Sequence, residues 1–393
     1  DVERSRGLGD VYKRQAPDAA AAADRALAAM SASALRDADG GFFRYATQRD
    51  WTVPHYERML TDNAQLLLVA LDAGDESTAR GIADFLVGTL RRDGGGFGAA
   101  QDSESWIDGQ RSEGGYYLRP VTERAGLEPP AVDGKVITGW NGLAIGALAR
   151  AGSRLGEPTW VAEAEDAAAY VLQVNRDTAD ALVRASLDGV ASQAIATAAD
   201  VALLADGLFS LAAATGDPRW AVEARDLLDA VLSGIQGDPL LAEHGIAAAP
   251  DQTDGDLPSD AAAVAAASLT AWRLGAGDRY RGAAAARVRE HAGSAIGQPF
   301  AHGSLLRVAA GLVDAPRQVV VVTEAPQGAL ASAARRADAD VVAIVTPEQA
   351  GAFADAGFEL FEGKGSAGEQ AFDCRSFVCR LPVSDPAELP LAR

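Results

Sequence analysis

A sixty-residue repeat limits what this chain can fold into more than any other feature of its sequence. Gly156-Glu157-Pro158-Thr159-Trp160 is followed sixty residues later by Gly216-Asp217-Pro218-Arg219-Trp220. Gly277-Asp278-Arg279-Tyr280 continues the series, with Tyr280 sixty residues after Trp220. Gly74-Asp75-Glu76 is a shorter, earlier copy. Each copy lies between two Ala/Leu-rich stretches whose apolar residues recur at every third and fourth position, the spacing of an amphipathic helix. Gly at the junction suits a helix C-terminus, and the acidic residue beside it suits the start of the next helix. The unit is therefore a helical hairpin.

The expected first helices of the hairpins include Asn141–Leu155, Asp200–Thr215 and Asp260–Leu274. The second ones are Thr159–Val174, Arg219–Leu232 and Asp278–His291. With Ala16–Arg36, His55–Ala73, Ser77–Arg91 and Ser304–Val313 the count is about ten. Hairpins in series build either an open solenoid or a closed α/α toroid. The toroid is favoured because the first helices are the more apolar, as an inner ring requires. The connections between hairpins are also long, polar and rich in Trp, Asp and Gly. Residues 16–315 are assigned to this toroid, mainly α in class.

After Pro316 the pattern changes. Gln318–Thr323 and Asp340–Thr346 are short β-branched runs separated by the helical stretch Gly328–Ala337. Pro347–Ala356 then leads to Phe358–Phe361, so residues 316–393 read as a small β-α-β-α-β unit with parallel strands. No glycine-rich phosphate loop follows its first strand. The opening residues 1–15 share nothing with the Ala-rich sequence after them and are expected to be a non-native tail.

Thirty-five basic residues against 55 acidic ones leave a formal charge of −20. That argues against nucleic acid or an anionic membrane as partner, since both need clustered positive charge. No apolar run approaches the ~20 residues of a membrane span. Cytoplasmic localisation is expected. Four scattered histidines give no metal-ligand spacing, and neither a metal nor a cofactor is expected. Cys374 and Cys379 lie five apart in a strand-like run, on opposite faces of an extended chain, and are read as two packed thiols.

Four clusters can carry chemistry. The first runs from Trp51 to Asn63 and holds His55, Glu57 and Asp62. Thr52 and Pro54 suggest a helix start there. In a helix regular from Pro54, His55 and Asp62 share a face and Glu57 points away from His55. If the helix begins near Thr61, His55 and Glu57 can both reach the cavity. A purely structural role for His55 competes with either. The second cluster puts Asp102 and Glu104 on a glycine-rich loop, where carboxylates act as acid or base or orient sugar hydroxyls, or simply meet solvent. The third is Trp140-Asn141, suited to a sugar's apolar face and hydroxyls, or to a helix cap. The fourth runs from Asp254 to Asp260 with Asp256 and Ser259, where N-capping is the plainer explanation.

The run Asp50-Trp51-Thr52-Val53-Pro54-His55-Tyr56-Glu57-Arg58-Met59-Leu60-Thr61-Asp62-Asn63-Ala64-Gln65-Leu66 resembles the signature D-W-x-V-P-H-F-E-K-M-L-Y-D-N-A-x-L. That signature belongs to the thioredoxin-domain-containing proteins related to spermatogenesis-associated protein 20. Gly134–Gly142 resembles the family's G-K-x-L-x-x-W-N-G, and Asp206-Gly207-Leu208, Pro258-Ser259 and Cys374–Cys379 follow in family order. The resemblance implies a toroid like those of the six-hairpin glycosidases and N-acylglucosamine 2-epimerase. It also implies an N-terminal thioredoxin-like domain, absent here along with the first toroid helix or two. The family pattern is changed at three polar places, at Ala100, at Ala199-Asp200 in place of a paired Asp, and at Asp260-Ala261 in place of Gly-Asn.

On this reading His55, Glu57, Asp102 and Glu104 are the candidate catalytic residues. Trp51, Asp62, Asn63, Trp140, Asn141, Asp206, Asp256 and Ser259 are the candidate ligand-binding residues. The expected partner is a small molecule, a sugar or something like one; activity, if present, would be carbohydrate isomerisation or hydrolysis. The alternative is a binding or scaffold module serving the thioredoxin-like domain. His302, at the start of the last inner helix, is a candidate second base. The loops before the inner helices are expected to converge on one rim of the ring.

Overall fold

The computed structural model describes residues 17–234, 252–366 and 368–391. The expected tail at 1–15 lies outside them. Ten helices among the described residues build the ring. They are α1 (Pro17–Ser31), α2 (Leu60–Ala73), α3 (Glu76–Phe85), α4 (Thr138–Leu155), α5 (Pro158–Val174), α6 (Ala198–Thr215), α7 (Pro218–Leu232), α8 (Asp260–Leu274), α9 (Asp278–Gly297) and α10 (Gly303–Val313). Helices α2 to α9 form four hairpins, with α1 before them and α10 after. The even-numbered helices form the inner ring in the order α2, α4, α6, α8, α10, and the odd-numbered helices pack outside it. The architecture is an α/α toroid.

Short strands occupy the loops that lead into the inner helices. They are β1 (Tyr45–Ala46), β2 (Pro54–His55), β3 (Arg58–Met59), β4 (Ala100–Gln101), β5 (Glu104–Ile107), β6 (Gln110–Glu113), β7 (Val132–Asp133), β8 (Val136–Ile137), β9 (Ala185–Leu187) and β10 (Val190–Ala191).

The repeat marks the turn inside each hairpin. Gly156 and Gly216 close α4 and α6 at φ of 70° and 74°, the left-handed conformation that Gly adopts without a Cβ penalty. Asp75 and Asp217 then accept backbone N–H bonds at the starts of α3 and α7. Of the aromatic members of the repeat, Trp160 and Tyr280 are buried and Trp220 half-buried where each outer helix meets the ring. Inner helix α6, 18 residues, is long and apolar enough by length and composition alone to cross a membrane, although Asp200 and Asp206 interrupt its apolar run. Here it lies between α4 and α8 in the core of the ring.

The unit at residues 316–391 differs from the expected parallel one. Its sheet runs in the order β12–β11–β13–β14, built from β11 (Arg317–Val322), β12 (Val341–Val345), β13 (Gln370–Arg375) and β14 (Val378–Cys379). Helices α11 (Ala329–Arg335) and α12 (Pro347–Asp355) lie between its strands in sequence. Only β11 and β12 are parallel; β13 pairs antiparallel with β11. The run Phe358–Phe361, read as the third strand, instead ends in a 3-10 turn. There the N–H of Glu359 donates to the carbonyl of Gly275, and Leu360 and Phe361 are buried in the ring's core. A short apolar run does not by itself distinguish a strand from a buried turn. The unit also shares the ring's core. Alternation along β11 sends Val320 and Val322 into the helices' cluster and Val319 and Val321 towards Leu330 and Ala334 of α11.

The two cysteines correct another expectation. The turn at Ser376–Phe377 folds β14 back on β13, so Cys374 and Cys379 become register partners and form a disulfide. Opposite faces hold only for an uninterrupted strand.

Candidate functional site

The rim at the N-terminal ends of the inner helices collects several of the expected residues. Pro54–His55 is not a helix start. It forms β2, paired antiparallel with β1, and the chain stays extended through β3 before α2 begins at Leu60. Side chains alternate in an extended chain, so His55 and Glu57 share one face while Tyr56 and Arg58 turn to the other. Of the two geometries open to this segment, the late helix start holds.

On the rim face, His55 Nε2 is 3.6 Å from Glu57 Oε2, and His55 Nδ1 is 3.3 Å from Glu113 Oε1. The imidazole stacks on the ring of its cross-strand partner Tyr45, centroids 4.9 Å apart. Arg44 donates to Glu57 at 2.9 Å and to Asp256 at 2.7 Å. Burial works against the charge of Arg44, but these bonds outweigh it and hold the guanidinium above its ordinary pKa. Gln65 of α2 also donates to the Asp256 carbonyl at 3.0 Å. Segments more than 200 residues apart in sequence thus meet across the ring.

Asp102 and Glu104 stand beside this cluster. Glu104 lies on β5, directly opposite Glu113 of β6, and pairs with Arg111. Asp102 is exposed, and its carboxylate accepts the N–H of Glu104 at 3.2 Å, shaping the turn into β5. Trp51 sits half-buried in the β1–β2 turn at φ 62°.

Other expected residues serve the fold. Asn63 Oδ1 accepts the Phe42 N–H at 2.7 Å, while its Nδ2 donates to the carbonyls of Phe42 and Met59. Asn141 repeats this arrangement one hairpin later, with Phe97 and Ile137. Each amide pins the loop strand before an inner helix to that helix's first turn. Phe42 and Phe97 both lie six residues beyond an arginine, Arg36 and Arg91, with which they form isolated bridges. Arg176 and Leu182 repeat that six-residue spacing. This second periodicity was present in the sequence and is the signal that marks the two asparagines as structural. Asp62 is buried in the first turn of α2. Trp140 is half-buried, and its buried Nε1 has no hydrogen-bond partner among the described residues.

Ser259 is the N-cap of α8, its hydroxyl accepting the Ala262 N–H at 3.3 Å. Ser259→Ala is expected to lower stability by about 1 kcal/mol, read as a lower urea midpoint with unchanged slope. Asp206 is not on the rim. It lies eight residues into α6, ~12 Å along the axis at the rise of an α-helix. His302 is buried at the start of α10, with Nδ1 against the Gln298 carbonyl at 3.1 Å.

Sequence reasoning missed Arg44 and Tyr45 and did not single out Glu113 from its acidic loop. The first two lie just upstream of the long motif, and only the pairing of β1 with β2 brings them onto its polar face.

No family model matches the chain. A stretch of 118 residues is 42% identical to spermatogenesis-associated protein 20 of Homo sapiens and 40% identical to that of Mus musculus. The match covers 28% of this chain and 15% of each relative, so it spans a small part of the curated proteins' length. Over that stretch the chain is related to spermatogenesis-associated protein 20. Among solved structures, the cellobiose 2-epimerase of Spirochaeta thermophila aligns with TM-score 0.52 at 16% identity, covering 79% of this chain and 84% of that one. A glycoside hydrolase family 76 mannosidase of Bacteroides thetaiotaomicron aligns with TM-score 0.51 at 11% identity, covering 79% and 85%. These two likenesses establish the toroid fold.

Proposed function

We propose that the rim binds a carbohydrate-like small molecule, with His55, Glu57 and Glu113 as its acid–base groups. The observation that carries this reading is one half-buried imidazole placed between two carboxylates at the mouth of a toroid. The two carboxylates stand off opposite nitrogens of a single ring. The separation of their contacting oxygens is therefore at most about 9 Å, inside the upper limit at which paired carboxylates work across a glycosidic bond. Tyr45 is 39% exposed and offers a flat ring beside His55 for the apolar face of a sugar. Resemblance to an epimerase and a mannosidase in fold is analogy, and supports a sugar as ligand only at that level.

Between the two chemistries, hydrolysis fits better than two-base isomerisation. An isomerase needs a base on each face of the ring. The second candidate, His302, is 2% exposed and turned to a backbone carbonyl.

A scaffold reading has its own supporting observation: Arg44 ties Glu57 to Asp256, so part of the rim is already neutralised. Calorimetric titration of the protein with a panel of neutral mono- and disaccharides separates the two. The expected result is saturable binding by at least one sugar, weakened tenfold or more by Glu57→Gln and by His55→Asn. No binding across the panel, with both variants changing only thermal stability, would leave the scaffold reading standing.

A further inference from the structure

A second chamber lies at the other end of the ring. A cavity of about 250 Å³ opens between the C-terminal halves of the inner helices and the α/β unit. Asp206 of α6 and Thr270 of α8 line it from the ring, and Arg335 of α11 from the α/β unit. Thr270 is ten residues into α8, ~15 Å from the rim at the rise of a helix. The site is thus distinct from the His55 cluster.

Its chemistry is unlike the rest of the molecule. Five arginines and four aspartates line the cavity, a local excess of positive charge in a chain whose net charge is −20. Arg150 pairs with Asp72 at 3.4 Å and Arg273 with Asp340 at 3.1 Å. Among the described residues Arg335 has no carboxylate partner; its Nη2 donates to the Pro326 carbonyl at 2.7 Å, and its buried Nε has no acceptor. Burial lowers its pKa, and no neighbouring charge offsets that shift. Arg154 is exposed at the last turn of α4 and likewise has no carboxylate partner among the described residues. On the ring side, Oδ1 of Asp206 is buried without a donor among those residues.

Arginines near helix C-termini can be there only to meet the negative end of the dipole. That accounts for the placement of Arg154, Arg273 and Arg335, in the last turns of α4, α8 and α11. It leaves the buried Nε of Arg335 without an acceptor. The same cavity therefore carries a donor that lacks an acceptor and an acceptor that lacks a donor. Buried polar atoms are rarely left so in a folded protein. Guanidinium groups match carboxylate and phosphate oxygens, and an aspartate oxygen matches a hydroxyl.

We infer that this chamber binds a small hydroxylated anion, a polyol carrying one carboxylate or phosphate. Its volume falls below the ~300–1,000 Å³ of drug-sized sites, which limits the ligand to about the size of a monosaccharide derivative. The inference does not depend on the rim.

Calorimetric titration of the whole chain with gluconate, glucose 6-phosphate, inorganic phosphate and glucose tests it. Gluconate or glucose 6-phosphate is expected to bind at least tenfold more tightly than glucose, and whichever of the two is tighter identifies the anionic group. Arg335→Gln should weaken that binding tenfold or more. Asp206→Asn should weaken the hydroxylated anion but not inorganic phosphate. Glu290→Gln, exposed on outer helix α9 and outside both sites, should leave all four titrations unchanged. Should Arg335→Gln fail to fold by circular dichroism, the exposed Arg154→Gln serves, with a loss of at least threefold expected. Failure of both anionic polyols to bind, or equal binding by wild type and the arginine variants, would overturn the inference.

Discussion

Arg58→Ala is expected to destabilise the protein by about 2–5 kcal/mol, the range for truncating a large buried side chain to alanine. Arg58 is 2% exposed. Its Nη1 donates to Asp39 at 2.6 Å, and Nε and Nη2 both donate to Gln101 Oε1. The guanidinium lies 4.3 Å from the centroid of the Phe85 ring. Burial opposes its charge, yet Tyr117, Asp39 and Asp37 together hold it above the ordinary arginine pKa. Desolvation in turn pushes the Tyr117 phenol up to about 12, so its hydroxyl stays protonated and donates to Gln101 at 3.0 Å. Asp37 would keep its bond to Arg124 at 2.7 Å in the variant, and the half-exposed Asp39 can rehydrate. The loss therefore falls on Gln101, on the aromatic contacts and on the space vacated. Urea unfolding followed by circular dichroism measures it. Arg58→Met restores the apolar volume without the charge and should recover part of the loss; a midpoint unchanged in Arg58→Ala would refute the account.

Gly142→Ala is the second large effect, and its sign runs against helix propensity. In an exposed helix interior, Gly to Ala gains about 1 kcal/mol. At position 142 a Cβ would lie 2.5 Å from the backbone carbon and oxygen of Leu203 and from Cα of Leu204. Those are backbone atoms of α6 and cannot rotate aside, so α4 and α6 must separate along the closest seam of the inner ring. Overpacking of this kind costs about 1–3 kcal/mol and more where the obstacle is rigid. Gly142→Ala is expected to lose about 3 kcal/mol net and Gly142→Leu to prevent folding. Gly293→Ala on outer helix α9 meets nothing within 4 Å and should stabilise by up to about 1 kcal/mol. Thermal melts of the pair should move in opposite directions.

Gly142 also shows how a motif can be read correctly for family and wrongly for role. Gly139, Trp140, Asn141 and Gly142 carry the resemblance, and the polar and aromatic pair among them suggested a ligand. In the structure the glycines let α6 approach and the asparagine holds the Phe97 loop. An amide engaged with three backbone groups looks, in sequence, the same as an amide waiting for a sugar.

The toroid was legible because its signals are local. Hairpin spacing, apolar period and helix-ending glycines each depend on residues within a few turns of one another. The strands at Arg317–Val322 and Val341–Val345 were legible from β-branched runs for the same reason. Three things depended on where the chain reverses or what packs against it, and were not legible. His55 and Glu57 share a face because Tyr45–Ala46 pairs with Pro54–His55 and delays the helix to Leu60. Cys374 meets Cys379 because a turn reverses the strand. Asp206, counted by its motif among the candidate ligand-binding residues, faces the opposite chamber because the α/β unit packs against the far ends of the inner helices. Local sequence determined the hairpins and their order, since short-range hydrogen bonds and burial periodicity suffice for that. Which polar groups meet was decided only by ring closure, because a contact such as Arg44 with Asp256 spans 212 residues and leaves no periodic trace in either segment.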